Sequence, residues 1–173
     1  MDILEIYHHE FPAFLQEAVA TPVMQRLKGV GMNCGCEYTA FPLFSQWQSY
    51  SRFDHCLGAG LITWHFTGDP HQAMAALLHD VATPVFSHVI DFLRGDYLTQ
   101  ESTEDGTREM ILGSSQLMDV CKKYAITPEA ITDYHRYPIA DNDSPKLSSD
   151  RLEYTLGNII NFGFGDRAAV KRY

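Results

Sequence analysis

Five times along this chain a short polar residue stands directly before a proline: Thr21-Pro22, Asp69-Pro70, Thr83-Pro84, Thr127-Pro128 and Ser144-Pro145. The pairing marks helix starts. A Thr, Ser or Asp side chain can accept a hydrogen bond from a free N–H of the first turn, and proline at the first helical position has no N–H to leave unpaired. Gly29, Gly95, Gly113 and Gly163 fall where helices should stop. Between these marks apolar residues recur at helical spacing. Phe53, Cys56, Leu57, Gly60, Leu61 and Trp64 form one stripe; Phe86, Val89, Ile90 and Leu93 a second; Leu152, Leu156, Ile159 and Ile160 a third. Leu117, Met118, Cys121 and Tyr124 suggest a shorter helix. Each stripe is most simply a core face. The stretch 31–50 is rich in aromatic, glycine and polar residues without a helical period, and reads as a loop or short hairpin. A second polar loop covers about 136–148. The reading is an all-α helical bundle forming a single domain over 1–173, with no repeat or linker.

Bulk properties narrow the function. A chain of 173 residues with 45% hydrophobic residues can bury a core without disulfides or a structural metal. The net charge of -9 argues against nonspecific binding to nucleic acid, because phosphate repulsion would have to be overcome locally. It does not oppose a small phosphorylated substrate held by a cation and a few arginines. The four cysteines, Cys34, Cys36, Cys56 and Cys121, form no secreted disulfide framework, and Cys34-Gly-Cys36 lacks the second pair of a zinc site. No signal peptide or membrane span is expected, so a reducing cytoplasm is the simplest location. Oligomeric state is left open, with a homo-oligomer among the options.

The residues that carry chemistry are His55, the doublet His79-Asp80 at the end of an apolar run, and Asp150. Imidazole and carboxylate together suit Mn, Fe, Co, Ni or Zn, and carboxylates also suit Mg. Neighbours on a helix diverge by about 100°, so His79 and Asp80 share an ion only near a helix end, which Pro84 places close by. Each residue alone has a plainer reading. His55 could be a packed histidine, His79 a histidine facing a helix dipole, and Asp150 an acid in a first helical turn.

Four segments, SRFDHCLGAG, ALLHD, PVFSHVIDF and SSDRLEYTL, occur in that order. Together they resemble the HD-domain superfamily of metal-dependent phosphohydrolases, and most of all its deoxynucleoside-triphosphate triphosphohydrolase branch. The likeness covers roughly 20–160. It implies a helical-bundle HD domain in which His55, His79, Asp80 and Asp150 bind one divalent ion. It further implies that Arg52, one turn before His55, touches substrate phosphate, and that Arg151 and Tyr154 hold phosphate and sugar. Arg136 is a further phosphate candidate. Asp91 would orient a catalytic histidine, with His88 beside it. Without the resemblance, Arg52 could pair with Asp54 or Glu37, Arg151 could be exposed, and Tyr154 could lie at a core edge.

The chain departs from the triphosphohydrolase pattern at two places. Thr83 stands where a histidine is expected three residues after Asp80, and Gln100-Glu101 occupies the stretch of a second histidine. Neither threonine nor glutamine is a general acid near neutral pH, and losing one typically costs about 10²–10⁴ in rate. Thr83 has a structural reason to exist, as the cap of the next helix. Glu101 and His135 are the remaining candidates for proton transfer. The expected function is a metal-dependent phosphohydrolase acting on a nucleotide or related small phosphate ester. The alternative is a catalytically reduced HD domain that serves as a metal- and nucleotide-binding regulatory module. A purely structural ion or a di-iron oxygenase stands behind these two.

Overall fold

Ser51 opens the longest helix with a reciprocal cap. Its hydroxyl accepts from the Asp54 N–H at 3.3 Å, and the Asp54 carboxylate accepts from the Ser51 N–H at 2.9 Å. Asp54 is thereby committed to the helix start. The computed structural model describes residues 4–45, 50–95, 106–143 and 145–172. In chain order its helices are α1 (Leu4–Tyr7), α2 (Ala13–Val19), α3 (Pro22–Gln25), α4 (Arg52–Thr67), α5 (Pro70–Leu78) and α6 (Val89–Arg94). They continue with α7 (Thr107–Gly113), α8 (Ser115–Lys123), α9 (Pro128–Ile131), α10 (Ser149–Asn161) and α11 (Arg167–Val170). No strand occurs among the described residues, so the fold is all-α. The segment after Gly29 runs through turns and a short 3-10 turn, Cys36–Tyr38, with a single antiparallel bridge between Gly31 and Ser51. Its described part, 31–45, is a loop.

Helix α4 is the centre of the bundle and packs chiefly on α5 and α10. Phe53, Cys56, Leu57 and Leu61 of its stripe are buried with Met74, Leu77, Leu78, Leu117, Cys121 and Leu156 in one hydrophobic cluster. Gly60 allows α5 to come close: a β-carbon there would lie 3.1 Å from Leu77 Cβ and 3.3 Å from the Ala73 carbonyl oxygen. The α4–α5 contact sets the distance between the two histidines described below.

Three of the five polar-proline pairs open helices. Thr21, Asp69 and Thr127 are N-caps with proline at the next position, and Asp69 accepts from the His71 N–H at 2.9 Å. The other two pairs differ. Ser144 lies outside the described residues, and α10 starts later, capped by Ser148, whose hydroxyl accepts from Arg151 N–H. Thr83 caps no helix; its hydroxyl turns back and donates to Asp80 Oδ1 at 3.0 Å, while α6 starts only at Val89.

The second apolar stripe also departs from expectation. Phe86, Val89 and Leu93 are 64%, 42% and 79% exposed. The turns after Asp80 deliver α6 with its polar side inward: Asp91 is fully buried against His88, and buried Ser87 donates to the Gly31 carbonyl. A buried carboxylate needs a partner more than Phe86 needs a dry one.

Candidate metal centre

Helix α5 ends at Leu78, and His79 and Asp80 lie in the turn that follows. That ending resolves the divergence of neighbouring helical side chains. His79 Nε2 and Asp80 Oδ2 are 3.3 Å apart and face the same point. His55, from the first turns of α4, brings its Nε2 to 3.2 Å from His79 Nε2 and 3.7 Å from Asp80 Oδ2. All three residues are buried, and their ligand atoms lie within 4.8 Å of one another. Asp150, in the first turn of α10, adds Oδ1 at 3.0 Å from His55 Nε2 and 3.6 Å from His79 Nε2. The four residues, separated by up to 95 positions, thus converge from three elements on one place.

The donor set fits a divalent ion. Ligand atoms about 2.1 Å from a metal stand about 3 Å apart when adjacent in the shell, near the spacings seen here. The hydrogen bonds behind the rings also favour it. His79 Nδ1 lies 2.7 Å from the Ala76 carbonyl oxygen, which can only accept, so Nδ1 carries the hydrogen. His55 Nδ1 lies 2.6 Å from Glu153 Oε2. Glu153 in turn accepts from the Tyr7 hydroxyl at 3.0 Å and from the Tyr50 hydroxyl. With both Nδ1 atoms donating, the two Nε2 atoms point at each other beside two carboxylates, an arrangement that either a proton or a bound metal cation satisfies.

Protons and metal compete for the same atoms. Burial alone would lower His79, but Asp80 and Asp150 raise it well above its ordinary value. Burial likewise opposes His55, which Asp150 and Glu153 raise. Burial would push Asp80 and Asp150 up, yet the two histidines, with Arg52 at Asp80, hold both below the usual carboxylate range. Burial, then the Glu153 charge, raises Tyr7 and Tyr50, keeping both phenols as donors. Burial pushes the neighbouring Cys56 thiol up to about 12, which removes it as a thiolate ligand.

Arg52 is 3% exposed and donates from Nη1 to Asp80 Oδ2 at 2.7 Å. Asp54 is taken up by Ser51 instead, and the Glu37 side chain lies outside the described ones. Its Nε and Nη2 are buried without a hydrogen-bond partner among the described residues. The other expected residues are distributed as follows. Arg151 donates from Nε to the Lys146 carbonyl at 2.8 Å and from Nη2 to the carbonyl and side chain of Asn142, so it ties down the 142–146 loop. Tyr154 is 36% exposed, one turn beyond Asp150. Arg136 donates to the Glu129 carbonyl at 3.1 Å. His88 Nδ1 is 2.8 Å from Asp91 Oδ2, while Asp91 Oδ1 is buried with no partner among the described residues. His135 is exposed and paired with Asp141 at 2.7 Å; its neighbour Tyr134 places a ring 5.4 Å from that of His79. Gln100 and Glu101 lie outside the described residues.

Sequence reasoning missed Glu153, Tyr7 and Tyr50. The available signal was an acid three residues after Asp150, hence on the same helix face, followed by Gly157 inside the helix. Gly58 belongs to the same device: a β-carbon there would sit 2.5 Å from Glu153 Cγ.

No family model matches the chain. It is similar to the metal-dependent phosphohydrolase cns2 of Cordyceps militaris, with 27% identity over 161 residues, 92% of this chain and 45% of that protein. It is also similar to the uncharacterized protein YdhJ of Bacillus subtilis, with 27% identity over 166 residues, 94% of this chain and 49% of that protein. The chain spans about half the length of these relatives. The relative's name and the His-His-Asp cluster fit a metal-dependent phosphohydrolase and support the HD-domain superfamily. They give the triphosphohydrolase branch no support. No described helix is long and apolar enough to cross a membrane.

Proposed function

We propose that this chain is a metal-dependent phosphohydrolase domain acting on a nucleotide or related small phosphate ester. His55, His79, Asp80 and Asp150 would hold one divalent ion, of the Mn, Fe, Co, Ni, Zn or Mg group. Such an ion, when bound, supplies Lewis acidity toward a phosphate oxygen and water. The observation that carries the reading is Arg52. One of its nitrogens is spent on the ligand Asp80, and two buried N–H-bearing nitrogens remain unpartnered among the described residues. A buried guanidinium with free donors matches a phosphate group, which accepts two parallel hydrogen bonds. Because Asp80 accepts from Arg52, a metal ion held by Asp80 would stand beside the guanidinium, and one phosphate would reach both.

The remaining roles follow from placement. Arg151 steadies the loop before Asp150, and Tyr154 offers a hydroxyl on the Asp150 face for a sugar. His135, oriented by Asp141, and Glu101 are the proton-transfer candidates; Asp91 fixes His88. The hydrophobic cluster of the described residues supports one domain over the chain, and the reducing cytoplasm remains its proposed location.

Thr83 motivates the second reading, a metal- and nucleotide-binding regulatory module. Its hydroxyl braces Asp80 where a proton donor would otherwise stand. A panel of nucleotides and phosphomonoesters, each with Mn, Co, Ni and Mg, separates the two. Turnover lost in His79→Ala supports the enzyme. Tight nucleotide binding by wild type without turnover supports the module, and neither binding nor turnover contradicts both.

A further inference from the structure

A second histidine cluster lies outside the site just described. His8, directly after α1, and His65, in the last turn of α4, come from segments 57 positions apart, yet their Nδ1 atoms are 3.3 Å apart. Their rings meet edge to face with centroids 5.6 Å apart, and the His9 ring lies 6.3 Å from that of His8. All three line a cleft of about 290 Å³ shared with apolar Ile62, Phe66 and Leu152 and with the cations Lys171 and Arg172. His65 stands ten residues along α4 from His55, a rise of about 15 Å, so the cluster cannot share the first ion.

We propose that His8 and His65 hold a second first-row transition-metal ion of the zinc or copper type, with water completing its shell. The Nδ1 spacing is that of two adjacent ligands on one ion, and an imidazole set without carboxylate suits zinc or copper rather than magnesium. His9 and His65 are exposed, which leaves open positions for water. The consequence is mechanical. Helix α1 has only four residues, too few to hold together alone, and it is docked on α4 through buried Tyr7. An ion bridging His8 and His65 staples the end of α1 to α4. The residue before His8 is Tyr7, whose hydroxyl reaches Glu153, and Glu153 grips His55. The staple therefore steadies the side chains that set the orientation of a proposed metal ligand, although its own formation does not depend on that role.

Trp64 reports on the cluster, since its ring meets His8 edge-on at 6.4 Å. With Trp47→Phe, Trp64 is the remaining tryptophan. In that background, copper(II) should quench Trp64 fluorescence, and zinc(II) should be taken up in one more equivalent than by His65→Ala and should raise the melting temperature. His65→Ala and, separately, His8→Gln should lose the quenching and the additional equivalent, while His71→Ala retains both. A His65→Ala protein that quenches and binds zinc like wild type overturns the proposal. So does a loss of equal size in His71→Ala, which would mark the uptake as nonspecific.

Discussion

Glu153 Oε2 lies 2.6 Å from His55 Nδ1, on the opposite side of the ring from the nitrogen that faces His79. The carboxylate fixes the His55 tautomer and orientation and makes Nε2 a better donor to a metal. Two tyrosines from distant parts of the chain, Tyr7 and Tyr50, hold the carboxylate in place.

Glu153→Gln keeps the size of the side chain and removes its charge. Metal affinity should fall by about 10–100-fold, the usual cost of losing such a partner. Titration calorimetry with Mn(II) or Co(II) reads this. Unchanged affinity would mean that Glu153 only fills space.

Gly58→Ala separates packing from helix propensity. Alanine is better than glycine inside a helix by about 1 kcal/mol. At Gly58, however, the new methyl would meet Glu153 Cγ at 2.5 Å and Oε1 at 2.7 Å. Overpacking of this kind costs about 1–3 kcal/mol. Thermal melting should show a loss of stability, together with weaker metal binding because Glu153 shifts from His55. A raised melting temperature would contradict the close approach.

Much of the fold was legible because caps and apolar spacing are local signals. Asp69-Pro70 and the stripe from Phe53 to Leu61 needed only their neighbours to be read. Thr83 was not readable in this way, because its competing partner, Asp80, is a buried carboxylate whose demand for a donor outweighs a cap. The Phe86–Leu93 stripe misleads because Asp91 takes the inward side of α6. The four proposed ligands were readable only as a pattern across the chain. Glu153 was not, since its partners at positions 7, 50 and 55 are joined by tertiary structure alone.

Arg52→Lys keeps a positive charge beside Asp80 but removes the planar donors. The wild-type chain and the variant should bind the same number of metal ions. If hydrolysis is found, kcat/KM should fall about 10²–10³-fold in the variant, the typical cost of one preorganised donor. Steady-state kinetics checks it, and equal kcat/KM would place the phosphate elsewhere.

The pH dependence has opposite signs with and without metal. His55 and His79 have raised values in the folded chain, from an ordinary 6.5. Their pairing with carboxylates contributes stability that is full below about pH 6.5 and is lost as pH rises through the raised values. Asp80 and Asp150 are lowered from 3.8, so their contribution is present above that value and lost as pH falls through the lowered ones. Metal binding needs the histidines deprotonated and strengthens as pH rises. The metal-induced rise in melting temperature should therefore grow from about pH 6.5 upward, and His79→Ala should flatten it. A metal-induced rise that shrinks over the same range would show that these imidazoles are not the ligands.

Everything proposed for catalysis depends on one ion sitting among His55, His79, Asp80 and Asp150. Anomalous diffraction at the manganese edge, from crystals of the full chain grown with Mn(II), locates it. A peak is expected about 2.0–2.3 Å from His55 Nε2, His79 Nε2 and an oxygen of each aspartate, and it should be absent in His79→Ala crystals. A peak that excludes these four residues, or no peak among them at saturating Mn(II), would contradict the assignment.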